Sequence, residues 1–146
     1  MSAKFAVAVT AIIIRKDTVL LLKRSPEKAH LPGYWDPCSG RMESGETPEQ
    51  AVVREAFEET GLDVTPVRVL DTFHFYYGPQ QEEFVGMTFL CRPLCHRGDG
   101  EVVLSAEHTE ARWVKLGEVD GYEMADGGRK SVGEGKRVES GRRGDS

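Results

Sequence analysis

The stretch from Gly40 to Leu62 constrains this chain more than any other. Its second half is punctuated as a helix. Thr47 is placed to act as N-cap, Pro48 takes the first helical position, Gln50 closes a capping box, and Gly61 stands just past the end. The spacing predicts a helix over 48–60. At about 100° per residue, Val52, Val53, Ala56, Phe57 and Thr60 share one face, which is expected to pack on a core. Glu55, Glu58 and Glu59 fall together on the opposite arc, with Arg54 at its edge.

That acidic arc works against helix stability. Glu55 and Glu59 are an i, i+4 like-charge pair, which costs a few tenths of a kcal/mol. Glu58 and Glu59 also stand in the last turn, where the macrodipole favours cations. An acidic run on a helix is commonly a solvated face. A hard divalent cation is the other resolution, because Mg²⁺ takes oxygen ligands from one or two carboxylates and from substrate phosphates.

The loop ahead of the helix chooses between the two. Gly40, Glu46, Arg54-Glu55-Ala56, Glu58-Glu59 and Gly61-Leu62 stand at the fixed spacings of one long signature. In this the chain resembles the Nudix hydrolases at every fixed position of their box. The wording Gly-Glu-Thr-Pro-Glu-Gln-Ala-Val-Val-Arg-Glu is similar to that of MutT-type nucleoside triphosphate pyrophosphohydrolases.

The resemblance implies an α/β fold, an α/β/α sandwich with a mixed curved sheet carrying the box as a loop and helix. It implies Mg²⁺-dependent hydrolysis of a nucleoside diphosphate linked to a group X, with Mn²⁺ able to substitute. A nucleoside triphosphate is the expected substrate; an ADP-ribose or nucleotide sugar is the alternative. By the same resemblance Glu55, Glu58, Glu59 and the Gly40 carbonyl hold the metal, and Arg54 braces the loop through Glu46 or another box glutamate. The general base is expected at Glu58, then at Glu107, which stands six residues before Trp113 as in similar proteins. Arg24, at a strand end, and Trp35, in the loop that follows it, are the expected substrate contacts; solvation of Arg24 and a core-lid role for Trp35 are the alternatives.

Two other readings compete. An isopentenyl-diphosphate isomerase shares a Pro-Gly-x-Trp segment and a nearby cysteine, matched superficially by Pro32-Gly33-Tyr34-Trp35 and Cys38, but it degrades the Arg-Glu and Glu-Glu core that is intact here. A non-catalytic module of the same fold has no need of the box carboxylates, all of which are present. The chain departs from the family pattern at Cys38-Ser39, where a Pro-Gly pair usually precedes Gly40.

At 146 residues, with 39% hydrophobic and 29% charged residues, the chain suits one soluble domain with its own core. The net charge of −5 and the lack of a basic stripe argue against a nucleic-acid polymer as partner. A small nucleotide remains compatible, bound by a monomer or homodimer. Three cysteines make no disulfide framework, which suits a reducing cytoplasm, and Cys91, Cys95 and His96 lack the second pair a zinc site needs. The longest apolar run, 6–14, is too short to span a bilayer, and no signal-peptide pattern precedes it.

Strands are expected over 5–14, 18–24, 64–75, 83–92 and 111–116, with a long loop over 25–39, a turn over 96–100 and a helix beginning near 116. His74, Tyr76 and Tyr77 are candidates for a base or sugar pocket. Residues 1–125 form the expected domain. The glycine-rich, charged tail 126–146 offers few large apolar side chains and is expected to be disordered.

Overall fold

The computed structural model describes residues 4–28, 30–94 and 101–144, without the side chains of 142–144. The chain runs β1 (Ala6–Arg15), β2 (Thr18–Arg24), β3 (Trp35–Asp36), β4 (Cys38–Arg41), α1 (Pro48–Thr60), β5 (Val64–Tyr77), β6 (Glu82–Pro93), β7 (His108–Lys115), a 3₁₀ turn (Leu116–Gly121) and α2 (Asp126–Gly144). The expected turn over 96–100, and the Cys95 and His96 of the zinc reading, lie outside the described residues.

β1 is the axis of the sheet. Along one edge it pairs in parallel with β6, from Ala6 opposite Phe84 to Ile13 opposite Cys91. Its other edge changes partner. Residues 8–11 pair antiparallel with β4, and Ile14 and Arg15 turn into the hairpin with β2. The sheet forks there, β2 carrying β3 and β7 on its own two edges while β5 closes the far side of β6.

Both faces of this mixed sheet are covered, which is why β1 and β2 are apolar without alternation. Val9, Ala11, Ile13, Leu20 and Leu22 meet Ala51, Val52 and Ala56 of α1. Ile12, Ile14, Val19 and Leu21 meet Val114, Leu116, Met124 and Val132 on the other side. The architecture is the expected α/β/α sandwich.

α1 keeps the expected bounds and caps. Thr47 and Gln50 bond each other's backbone N–H groups, and Gly61 takes the left-handed conformation at φ 72°. Its rotation differs from expectation by about a quarter turn. Phe57, expected in the core, is 54% exposed, and the buried side chains are Ala51, Val52, Ala56, Glu59 and Thr60. The buried arc therefore includes part of the acidic arc. Hydropathy alone points the helix by its largest apolar side chain; in the structure Ala51, Val52 and Ala56 make the core contact and Glu59 turns in with them.

The tail is a second correction. Residues expected to be disordered form α2, packed on β1 and β5. It carries few large apolar side chains, as the composition says, but its glycines permit close approach. A Cβ added at Gly135 would lie 2.7 Å from Ile12 Cγ2, so only glycine lets the helix backbone rest on the sheet there. Val132 is buried, Ser131 Oγ lies 3.4 Å from Thr88 Oγ1, and the buried Glu139 pairs with Arg92. The apolar area that α2 covers belongs mostly to the sheet.

Two measurements check this packing. Phe57→Ala should change stability by no more than about 0.5 kcal/mol, as for an ordinary surface substitution. Deleting 126–146 should lower the melting temperature by several degrees, because it uncovers Ile12, Ile14 and Leu90. An unchanged melting temperature on truncation would show that α2 does not shield that core.

Candidate functional site

The box is held together by one guanidinium. Arg54 donates through Nε to Glu46 Oε2 at 3.0 Å and through Nη2 to Glu46 Oε1 at 2.7 Å, a bidentate pair. Nη2 also reaches the Arg41 carbonyl at 2.8 Å, and Nη1 reaches Glu55 Oε1 at 2.8 Å and Glu58 Oε2 at 3.2 Å. Glu46 in turn accepts from the Glu43 N–H at 2.6 Å. Arg54 thus ties the end of β4, the loop and α1 into one unit, through the Glu46 contact that the sequence suggested. Its charge holds Glu46 below the usual carboxylate range.

Glu55 lies across Gly40. A Cβ there would fall 2.1 Å from Glu55 Cδ, so the glycine makes room for the carboxylate. Burial raises the proton affinity of Glu55, and Arg54 opposes that rise. Glu59 is buried more deeply, at 6% exposure, and its Oε2 has no hydrogen-bond partner. Desolvation pushes its pKa up to about 8; the neighbouring Cys38 thiol opposes this, and the charges of Glu55 and Glu107 add to it. Glu58 stays exposed at the rim.

Among the described residues, no three Asp, Glu, His or Cys side chains are gathered as a ready metal shell, and Arg54 Nη1 bridges Glu55 and Glu58. The donors still fit a hard divalent cation. They are all oxygens, and the orphaned Glu59 Oε2 is a buried acceptor that no described protein group satisfies.

Glu107, distant in sequence, is brought to this cluster by the turn entering β7. Its backbone carbonyl accepts from the Ser25 N–H at 3.0 Å, and its carboxylate pairs with Lys28 Nζ at 3.1 Å. Lys28 is the main reason its pKa lies below the ordinary value, and Glu59 beside it adds to the effect.

The two expected substrate contacts are placed elsewhere. Arg24 donates to Asp36 Oδ2 at 2.9 Å and to the His30 carbonyl at 3.0 Å. His108 Nε2 lies 3.1 Å from Asp36 Oδ1, so Arg24 and His108 clamp Asp36 from two sides. Trp35 is 8% exposed, edge-on to Tyr122 at 5.2 Å, with Arg112 and Lys23 over its ring. It closes the second core and does not line the cavity described next.

That cavity, about 580 Å³, lies between the sheet and the start of α2 and reaches the box at Gly40 and Arg41. Phe73, Phe75, Tyr77 and Phe84 form its aromatic wall. Phe75 and Phe84 stack nearly parallel, 4.9 Å apart. Thr10, Asp71, Lys130 and Ser131 supply polar groups. Of the aromatics suggested by sequence only Tyr77 lines it, while His74 turns outward to Glu83 at 2.7 Å. Phe73 and Phe75 were legible as alternate residues of one strand, but their shelter comes from α2, where disorder was expected.

A NUDIX domain family model matches residues 4–133. The sequence is 43% identical over 103 residues to an octanoyltransferase of Myxococcus xanthus, a match covering 67% of this chain and 26% of that protein. It is 42% identical over 69 residues to an 8-oxo-dGTP diphosphatase of Proteus vulgaris, covering 47% of this chain and 61% of that protein. The chain therefore spans less than two thirds of either relative's length. The MutT protein from Methanosarcina mazei Go1 superposes with a TM-score of 0.72 at 25% identity, covering 96% of this chain and 98% of that one.

The buried acid makes a prediction about pH. Because the folded-state pKa of Glu59 is raised, the native protein binds more protons than the unfolded chain between the ordinary value of 4.5 and about 8. Stability of the metal-free protein should therefore fall as pH rises through that window. Glu59→Gln should flatten the dependence, and millimolar Mg²⁺ should restore stability to the parent at pH 8 but much less to the variant. Denaturant titrations at pH 5 and 8 decide it; equal slopes in both proteins would place Glu59 in solvent.

Proposed function

The chain belongs to the Nudix family, and from that premise we propose that it hydrolyses a phosphoric anhydride bond in a nucleoside diphosphate-X substrate, most readily a nucleoside triphosphate. Nudix hydrolases generally use divalent metal ions, and Mg²⁺ is the ion proposed here. The observation that carries the reading is the buried, unpartnered Glu59 Oε2 beside Glu55 and Glu107, next to an aromatic cavity that opens at Gly40.

Phosphoric anhydrides resist water because their negative charge repels nucleophiles and must be carried off by the leaving group. Glu55, Glu58 and Glu59, with the Gly40 carbonyl, would hold the ion. Once bound, such an ion neutralises phosphate oxygens and lowers the pKa of coordinated water. The protein's own part is placement. Gly40, without a side chain, makes room for the Glu55 carboxylate at the border of the cavity, and the aromatic wall takes the face of a base.

Water attacks one phosphorus in line, the bridging P–O bond breaks, and a nucleoside monophosphate and pyrophosphate leave. Glu58, exposed at the rim, accepts the water's proton. Glu107 keeps its charge, because Lys28 lowers its proton affinity, and orients the water rather than deprotonating it. Arg54 keeps Glu55 and Glu58 in place through the contacts already given and acts as a positioning residue.

The test is a screen of nucleoside triphosphates, ADP-ribose and nucleotide sugars with Mg²⁺, reading phosphate and pyrophosphate release. Glu59→Gln should lower the rate on the best substrate by orders of magnitude. Survival within about threefold, well under 1 kcal/mol of barrier, would remove Glu59 from the metal site. Gly40→Ala should keep the fold but displace the Glu55 carboxylate, lowering activity at least tenfold with little change in melting temperature.

A further inference from the structure

The cavity contains a charge that its own walls do not satisfy. Strand β5 changes register between Val69, opposite Phe89, and Asp71, opposite Thr88, so Leu70 is an extra residue. A bulge of this kind re-aims side chains. Leu70 packs into the core beneath α2, and Asp71 lines the cavity, followed at a period of two by Phe73, Phe75 and Tyr77. Two consecutive residues thus serve the same side of the strand, and the second is a carboxylate.

Asp71 is half-buried, with no hydrogen bond or ion pair to any described residue. The other cavity carboxylate, Asp36, is already bound by Arg24 and His108. Lys130 lines the same cavity, also without an ion pair among the described residues. A carboxylate in an aromatic cavity loses hydration that only a donor can replace. A flat ligand stacked against Phe73 and Phe75 would present its edge toward Asp71.

Resting on the nucleotide reading above, we infer that Asp71 determines base specificity, selecting nucleobases that carry an exocyclic amine over uracil and thymine. An ionised carboxylate only accepts hydrogen bonds. Adenine, cytosine and guanine each offer it an amino group. Uracil and thymine offer one ring N–H flanked by two carbonyl oxygens, whose lone pairs face the carboxylate. A site whose polar group is left unpaired by the wrong ligand discriminates far more strongly than one that differs only in apolar contact.

Calorimetric titration of the full chain with AMP, GMP, CMP and UMP tests this without requiring turnover. At least one amine-bearing monophosphate should bind tenfold or more tightly than UMP. Asp71→Asn offers a donor as well as an acceptor, so it should weaken that monophosphate and tighten UMP, bringing the two within threefold. A merely structural role for Asp71 would weaken all four alike. That result, or equal binding of all four by the parent, or no binding at millimolar concentration, overturns the inference. Failure of the reaction reading is distinguishable from this. Base discrimination without hydrolysis of any triphosphate removes the reaction and keeps Asp71; hydrolysis without base discrimination removes Asp71 and keeps the reaction.

Discussion

Arg54 is the contact on which the rest of the site depends. Its bidentate pair with Glu46, its bond to the Arg41 carbonyl and its bridge from Glu55 to Glu58 join three segments that hydropathy would not bring together. Lysine could not replace it, because an ammonium is a point charge and lacks the planar fork that meets two carboxylate oxygens in parallel. The guanidinium also softens a conflict within α1. Three glutamates near a helix C-terminus repel one another and the dipole, and one cation lying over two of them offsets part of that repulsion.

The remaining conflict is Glu59. Burying a carboxyl oxygen with no hydrogen-bond partner costs free energy, and it is the kind of local inconsistency found at functional sites. The fold imposes it by the rotation of α1. Ala51, Val52 and Ala56 are small enough to bring the helix close to β4, and the same rotation carries Glu59 beside Cys38 and leaves Phe57 in solvent. Glu107 completes the cluster from a turn fastened to the β2 end by Ser25 and Lys28. Three stretches of chain thus converge on one unpaired oxygen.

The two layers of helix divide the work. α1 supplies charge on one face of the sheet. α2, lying on the opposite face, supplies little chemistry of its own but roofs an aromatic wall into a cavity. The seam between them is β4, where Ser39, Gly40 and Arg41 all border the cavity and Gly40 also lies under Glu55.

Much of this was legible in the sequence. The caps of α1 and the hairpin of β1 and β2 follow from short-range spacing, where neighbouring residues decide the outcome, while the role of the box carboxylates and the Arg54 brace were implied by the resemblance to the Nudix box. What the sequence left open were quantities set by distant partners. The rotation of α1 is set by the close packing of Ala51, Val52 and Ala56 on the sheet and by the room Gly40 leaves for Glu55, not by its largest apolar side chain. Trp35 reads as a loop aromatic until Tyr122 and Met124 close over it, and Arg24 reads as a phosphate contact until Asp36 takes its charge. Order in 126–144 was invisible because composition counts what a segment's own side chains can bury. The apolar surface that α2 covers belongs to Ile12, Ile14 and Leu90, and only the tertiary structure brings that surface and those glycines together.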